Sequence, residues 1–322
     1  MDESAPSGGA FRHVRFAGRP TNAVSRSQHR AKSRSPVALR PSERPGQFIS
    51  WVLERAGLAV ENYRGEPLGR RLSPCLRALH AHTEAQARQT LEQRPDLLPT
   101  AISTLLIGVT DFFRDEPVFE ALRTDVLPQW AHRSGPLRIW SAGCSNGAEL
   151  YSLAILLAEA GLLEGSFLLG SDCRPDAVAH AQAGVYKSHD LRKIATSNRH
   201  RYFEEVGGLW RPIEPVRQHV HWRVSDLARH VEKGPWDMIL WRNMAIYLTV
   251  EAAQSIWQGL AGALSPEGVL VVGKAERPPA ELSLICASRC LYHAGPAGVV
   301  AVAGSRPRPT KHRGHRASET SV

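Results

Sequence analysis

Four short stretches hold the residues whose types and spacing could do chemistry. The first is Trp140-Ser141-Ala142-Gly143-Cys144-Ser145-Asn146-Gly147-Ala148-Glu149, a run of small residues carrying one acid. Backbone left uncovered by side chains can be approached closely by a ligand, and glycine can adopt the dihedrals of a sharp turn. Only Gly143 and Gly147 are present, so this is not the G-x-G-x-x-G of a pyrophosphate cradle. The second is Phe167-Leu168-Leu169-Gly170-Ser171-Asp172, which ends in an acid about 20–25 residues after the glycine turn, where a ribose-binding acid would fall. Asp172 can equally be read as a helix N-cap ahead of Pro175. The third is Thr110-Asp111-Phe112-Phe113-Arg114, where two adjacent aromatics cannot share one helix stripe. It reads as an anchored loop that lends Thr110 and Arg114 to the turn. The fourth is Trp241-Arg242-Asn243, an apolar run cut short by two polar residues, with Asp226-Leu227 upstream of it.

The elements that must position these residues follow from periodicity. Leu137 to Trp140 reads as a strand, and Leu150, Leu153, Ala154 and Leu157 repeat at helical spacing after the turn. Phe167–Asp172, Val220–Val224, Trp236–Trp241 and Val269–Val272 read as further strands. Helices are expected over 118–130, 175–183 and 250–264, with a short one near 198–203 in an otherwise polar stretch running to Gly208. Leu291–His293 and Val299–Val302 read as a closing hairpin. Strands alternating with helices predict an α/β fold with a mostly parallel sheet covered on both faces. Ligands bind at the C-terminal strand ends of such sheets, where Gly143, Asp172, Asp226, Arg242 and Asn243 all fall. Ahead of the sheet lies a small all-α region. Its second helix is read as Gly65 to Leu79, kinked or broken at Pro74, with Arg70, Arg71 and Arg77 off its apolar stripe. Those arginines are a solvated face or a surface for an acidic protein partner. The expected organisation is a tail over 1–46, a helical domain over 47–107, the α/β domain over 108–303 and a tail over 304–322.

Composition narrows the classes. The net charge of +9 over 322 residues is carried by the ends. Residues 1–46 hold eight Arg and one Lys against three acids, and 304–322 hold four Arg and one Lys against Glu319. Such Ser-, Pro-, Gly- and Arg-rich ends bury too little apolar surface to fold alone. The body between them is near neutral and makes no nucleic-acid platform. Five scattered cysteines without a C-x-x-C pair argue against a disulfide framework or a metal site, and fit a reducing cytoplasm. No apolar run is long enough to cross a bilayer, the first residues lack an apolar signal core, and a monomer is expected.

Taken together, the four stretches resemble the CheR-type chemotaxis receptor methyltransferases, which use S-adenosylmethionine to methylate glutamates. Thr110–Asp115 is similar to that family's T-x-F-F-R-[DE], and Trp140–Ser152 to W-S-A-G-C-S-T-G-E-E-P-Y-S. Ser171-Asp172 with Gly184-Val185-Tyr186 is similar to the T-D-I-D block and its following G-x-Y, and Trp241–Leu248 to C-R-N-V-x-I-Y-F. The resemblance covers about residues 47 to 303 and implies a Rossmann-like methyltransferase domain behind a small helical domain. It implies that Thr110 and Arg114 hold the methionine end of the cofactor, that Gly143 and Glu149 help bind there, and that Asp172 takes the ribose hydroxyls. It implies further that Asp226 and Leu227 flank the adenine, that Arg242 and Asn243 close the methionine side, and that Tyr247 sits near the methyl group. Tyr247 and Arg114 would orient the reacting partners, and Arg70, Arg71 and Arg77 would meet an acidic helical region of methyl-accepting receptors. Gly108 stands where the family usually has Asn, Ala148 replaces the first Glu, Arg174 the second Asp, Asp226 an Asn, and Lys274-Ala275 the H-S before Glu276. Each lost hydrogen bond to a charged group would cost about 1.5–3 kcal/mol. The stretch Glu204–Gln218 is short for a receptor-tail tether, and none is expected.

A glutamate side chain has an ordinary pKa of about 4.3, so it is already a nucleophile at neutral pH and needs no general base or metal. The expected catalysis is by proximity and alignment. Two other readings stand beside it: a methyltransferase of another substrate recruited by the basic tails, and a degenerate module that binds cofactor or partners without turnover.

Overall fold

In the computed structural model the described residues are 44–295, apart from 107, 109, 134, 283 and 289. Residues 1–43 of the first basic tail, the whole of the second and the strand expected at Val299–Val302 lie outside them. Among the described residues the leader is built of five α-helices: α1 (Gln47–Arg55), α2 (Gly65–Gly69), α3 (Leu72–Ala78), α4 (Glu84–Gln93) and α5 (Leu98–Leu105). Phe48, Ile49, Val52 and Leu53 form the buried face of α1, which packs against α4 and α5. The expected Gly65–Leu79 helix is two helices, and the break falls at Arg70-Arg71 instead of Pro74. Pro74 sits in the first turn of α3, where its missing N–H would have had no helical partner anyway.

The helix expected over 118–130 is α6 (Glu116–Ala121), one π-helical turn (Leu122–Val126) and α7 (Leu127–Trp130). The main sheet then begins with β1 (Arg138–Ala142), α8 (Ala148–Glu159), β2 (Phe167–Asp172) and α9 (Pro175–Ala183). After α10 (Thr196–Tyr202) comes a hairpin absent from the sequence reading, β3 (Phe203–Val206) and β4 (Leu209–Pro212). It turns on Gly207 and Gly208, both with positive φ, as a two-residue hairpin turn requires. α11 (Glu214–Arg217), β5 (Val220–Val224), β6 (Trp236–Trp241), α12 (Val250–Ala263) and β7 (Leu264–Val272) follow. The chain closes with β8 (Leu284–Ser288) and β9 (Leu291–Ala294), so Leu291–His293 pairs with a strand before it.

The seven strands of the main sheet run in the order β5-β2-β1-β6-β7-β9-β8. Pairs from β5 to β7 are parallel, while β9 is antiparallel to both of its neighbours. The chain turns outward from β1 to β2 and β5, then returns to the other side of β1 with β6. That reversal opens a crevice at the C-terminal ends of β1 and β6. Ile139, Trp140, Met238, Ile239, Leu240, Trp241 and Val269–Val272 are all buried, as strands covered on both faces demand.

Candidate active site

The crevice is shaped first by the turn between β1 and α8. Gly143 and Gly147 have φ of 84° and 86°, and a Cβ on Gly143 would come within 2.9 Å of the Met244 side chain. The Gly143 and Cys144 amides donate to the Ser171 carbonyl at 2.8 and 2.9 Å, which fastens the turn to the end of β2. Phe113, Asp115, Ser145 and Asn243 also hold positive φ on the loops around the crevice. Strained non-glycine backbone of this kind clusters where the fold over-determines a functional shape. The 110–115 loop is anchored by Phe112, buried edge-on against Tyr186 and Phe203, and by Phe113, whose amide donates to Ser152 Oγ at 2.9 Å.

Two adjoining hollows result. Thr110, Arg114, Gly143, Glu149, Asp172, Arg242, Asn243 and Tyr247 line the larger, and Gly143, Asp172, Asp226 and Leu227 line the smaller. The sequence-read cofactor residues are thus gathered in one continuous cleft. Arg70 and Arg71 line a separate groove with Arg64, Ile246 and the other side of Tyr247. Arg77, exposed at the end of α3, is not part of that groove. The expected second helix therefore does not present its three arginines as one face, because Arg70 and Arg71 sit at the break and Arg77 near the end of α3. Arg71 is also partly engaged, its Nε donating to the Thr104 carbonyl at 3.2 Å.

At one end of the cleft the charges are tied to each other. Arg242 Nη1 donates to Glu149 Oε2 at 2.9 Å, and Nη2 donates to Asp115 Oδ2 at 2.8 Å and to the Arg114 carbonyl at 2.9 Å. Glu149 Oε1 accepts from Ser141 Oγ at 2.9 Å. Lys274 reaches Asp115 at 2.6 Å. Burial alone would push the Asp115 carboxyl up, but Lys274 and Arg242 hold it below its ordinary range. This network locks the 110–115 loop, the start of α8 and the end of β6 into one frame.

Asp172 is 4% exposed and all its lone-pair directions are in use. Oδ1 accepts from the Arg174 amide and Arg174 Nε, both at 3.0 Å, and Oδ2 from the Ser145 amide at 2.9 Å and Arg174 Nη2 at 3.2 Å. It does not cap α9, whose N-cap position is Arg174. Asp226 contrasts with it. Oδ1 accepts from the Ala228 amide at 3.0 Å, while among the described residues the buried Oδ2 has no hydrogen-bond partner and only Arg229 at 3.6 Å. Burial pushes its pKa up. Tyr247 is half-buried, and burial raises its phenol too, against the pull of Arg71, Arg114 and Arg174.

The sequence reading missed Tyr63, which comes from the helical leader and lines both hollows. It gets there because the Asn62–Arg64 segment lies along Tyr247–Thr249. The Arg64 amide donates to the Tyr247 carbonyl and the Thr249 amide to the Asn62 carbonyl, each at 2.9 Å. No motif in the leader marks Tyr63. Arg174 and Gly108 also line the cleft and were read only as departures from a pattern. Among the described residues no group of three His, Cys, Asp or Glu is placed to hold a metal ion, and no helix is long and apolar enough to cross a membrane.

A seven-stranded sheet of this order, with its cleft at the β1–β6 reversal and acids at the ends of β2 and β5, defines a Rossmann-like methyltransferase. The residues fit an adenosyl cofactor: the orphan oxygen of Asp226 is an acceptor the adenine amine would satisfy, and Gly143 leaves backbone open beside it. The profile described as "CheR methyltransferase, SAM binding domain" matches residues 108–285. A "Chemotaxis protein methyltransferase" of Listeria monocytogenes is 31% identical over 249 residues, covering 76% of this chain and 95% of that one. One from Salmonella typhimurium is 30% identical, covering 70% and 80%. The "Probable biofilm formation methyltransferase WspC" of Pseudomonas putida is 35% identical over 71% of this chain but only 56% of its own length. The chain belongs to the CheR methyltransferase family, and its cofactor is S-adenosylmethionine.

Proposed function

We propose that this chain forms methyl esters on glutamate side chains of methyl-accepting receptors or related sensory proteins. The observation that carries this reading is the position of Tyr247. It stands between the cofactor cleft and an outer groove that Arg64, Arg70 and Arg71 make basic. An acidic helical segment seated in that groove brings a carboxylate to the cleft mouth. S-adenosylmethionine supplies an electrophilic methyl group on its sulfonium. Thr110 and Arg114 hold the methionine end, framed by the Arg242–Glu149–Asp115 network, with Gly143 and Asn243 shaping the floor. Asp172 faces the ribose, and Asp226 and Leu227 the adenine. Tyr63 closes the cleft from the leader side. Tyr247, a phenol already protonated at neutral pH at its ordinary value, donates to the incoming carboxylate and fixes its direction. No residue has to take a proton, because the carboxylate arrives ionised.

The test is methyl transfer from methyl-labelled cofactor to an acidic helical receptor fragment, read as label released by mild alkali, the signature of a carboxyl ester. Alkali-stable label, or label on a different substrate class, would sink the reading. Tyr247→Phe is expected to lower kcat about tenfold or more, the worth of one orienting hydrogen bond to a charged group, while leaving cofactor affinity unchanged.

A further inference from the structure

Asp172 and Arg174 meet in a way that bears on how the cleft opens to its cofactor. The Arg174 side chain is 8% exposed and forks onto both carboxylate oxygens of Asp172. Its remaining Nη1 donates to the Leu106 carbonyl at 3.3 Å, so the guanidinium bridges the end of α5 to the end of β2. Room for it exists only because residue 108 is glycine: a Cβ there would overlap Nη1, Nη2 and Cζ of Arg174. Two positions where the sequence departs from the family pattern are therefore the two that touch each other. A carboxylate offers about four acceptor sites, and Asp172 has given all four to Arg174 and Ser145.

We infer that Arg174 is an internal competitor for the ribose subsite, holding Asp172 in the free protein and leaving it when the ribose hydroxyls bind. The inference rests on the reading that Asp172 receives those hydroxyls. Breaking the fork costs the free protein two charge-assisted hydrogen bonds in a buried setting, and that cost is subtracted from cofactor affinity. Arg174 acts through Asp172 and is a positioning residue. It sets how tightly the cofactor binds without touching the methyl transfer itself.

Two substitutions remove the competition by different routes. Arg174→Ala deletes the guanidinium. Gly108→Ala keeps it but pushes the flexible end of the side chain off Asp172, and serves where Arg174→Ala fails to fold. Titration with S-adenosylhomocysteine is expected to show about tenfold tighter binding for each, and no further gain in the double variant, because both act on one pair. An analogue lacking both ribose hydroxyls is expected to gain nothing from either change, which a general loosening of the cleft would not reproduce. In turnover, KM for the cofactor falls while kcat holds. Unchanged or weaker binding in both variants overturns the inference. If Asp172→Asn weakens binding in that case, only the competition is wrong. If Asp172→Asn also leaves binding unchanged, the ribose assignment falls with it.

Discussion

Asp172 and Asp226 sit at the ends of neighbouring strands in the same cleft, and their surroundings set them apart. Asp172 is saturated by hydrogen bonds, whereas Asp226 buries an oxygen that has no hydrogen bond among the described residues. Because burial raises the Asp226 pKa, the folded chain binds that proton more tightly than the unfolded chain does. Its contribution to stability therefore falls as pH rises from the ordinary carboxylate range through the raised value, and stays low above it. Asp226→Asn removes the buried charge. It is expected to gain about 1 kcal/mol at neutral pH, the scale of one unsatisfied buried polar group, with the gain vanishing on acidification below the ordinary carboxylate range. Melting curves across that range check it, and a pH-independent difference would rule out the charge as its cause. At this scale the sequence was legible where a residue sits inside a motif with fixed spacing: Thr110, Arg114, Glu149, Asp172 and Asn243 all reach the cleft. Tyr63 was not legible, since it lies 47 residues upstream of Thr110 and arrives only through backbone pairing. Nor was the fate of Arg174, since its fork onto Asp172 depends on space left by a glycine on another segment.

That backbone pairing makes the junction at Leu248–Thr249 one of the joints between leader and sheet, beside the Arg174 bridge to Leu106. Thr249 is the N-cap of α12, its Oγ1 accepting from the Ala252 amide at 3.4 Å, and its amide donates to the Asn62 carbonyl. Thr249→Ala removes the cap and the Oγ1 hydrogen bond to the Glu61 carbonyl at 3.4 Å, and keeps the amide. It is expected to cost about 1 kcal/mol and lower Tm by about 2–4 °C, with cofactor affinity unchanged. A loss of affinity as well would mean that the Thr249 hydroxyl, through the cap or its bond to Glu61, helps the backbone pairing position Tyr63. The elements themselves were readable wherever burial wrote a pattern. Continuous apolar runs gave β2, β6 and the second half of β7, and helical spacing gave α8, α9 and α12. The β3–β4 hairpin escaped because, between the buried Phe203 and Pro212, the strand residues Glu204 to Val206 and Leu209 to Arg211 are partly exposed or charged, so no apolar alternation marks them. The Gly207-Gly208 turn was the available signal. β8 was a miss of another kind: Leu284-Ile285-Cys286-Ala287 is a short uncharged apolar run, but it forms an edge strand of the sheet and its middle residues Ile285, Cys286 and Ala287 are exposed.

At the scale of the whole molecule, the +9 net charge says little about the body, since the surplus lies in the tails outside the described residues. What concerns an acidic partner is the local charge of the groove beside Tyr247. Arg64 and Arg70 both face Glu66 there, at 3.9 and 3.1 Å, with side chains 49% and 69% exposed. Exposed pairs of that kind stabilise a fold very little, so the two arginines can be reversed at small cost. Arg71 is a poorer choice, because its tie to the Thr104 carbonyl holds α3 against α5. A basic groove meeting an acidic helix speeds encounter and fixes register more than it tightens the final complex. The double reversal Arg64→Glu with Arg70→Glu is therefore expected to slow methylation of an acidic receptor fragment about tenfold or more at low salt. The difference shrinks as the Debye length falls to about 8 Å at physiological ionic strength and below it in stronger salt. S-adenosylhomocysteine affinity is expected to stay at the parent value, because neither arginine lines the cofactor cleft. Rates equal to the parent at every ionic strength would show that substrate approaches by another face, and would remove the receptor-helix reading while leaving the cofactor site intact.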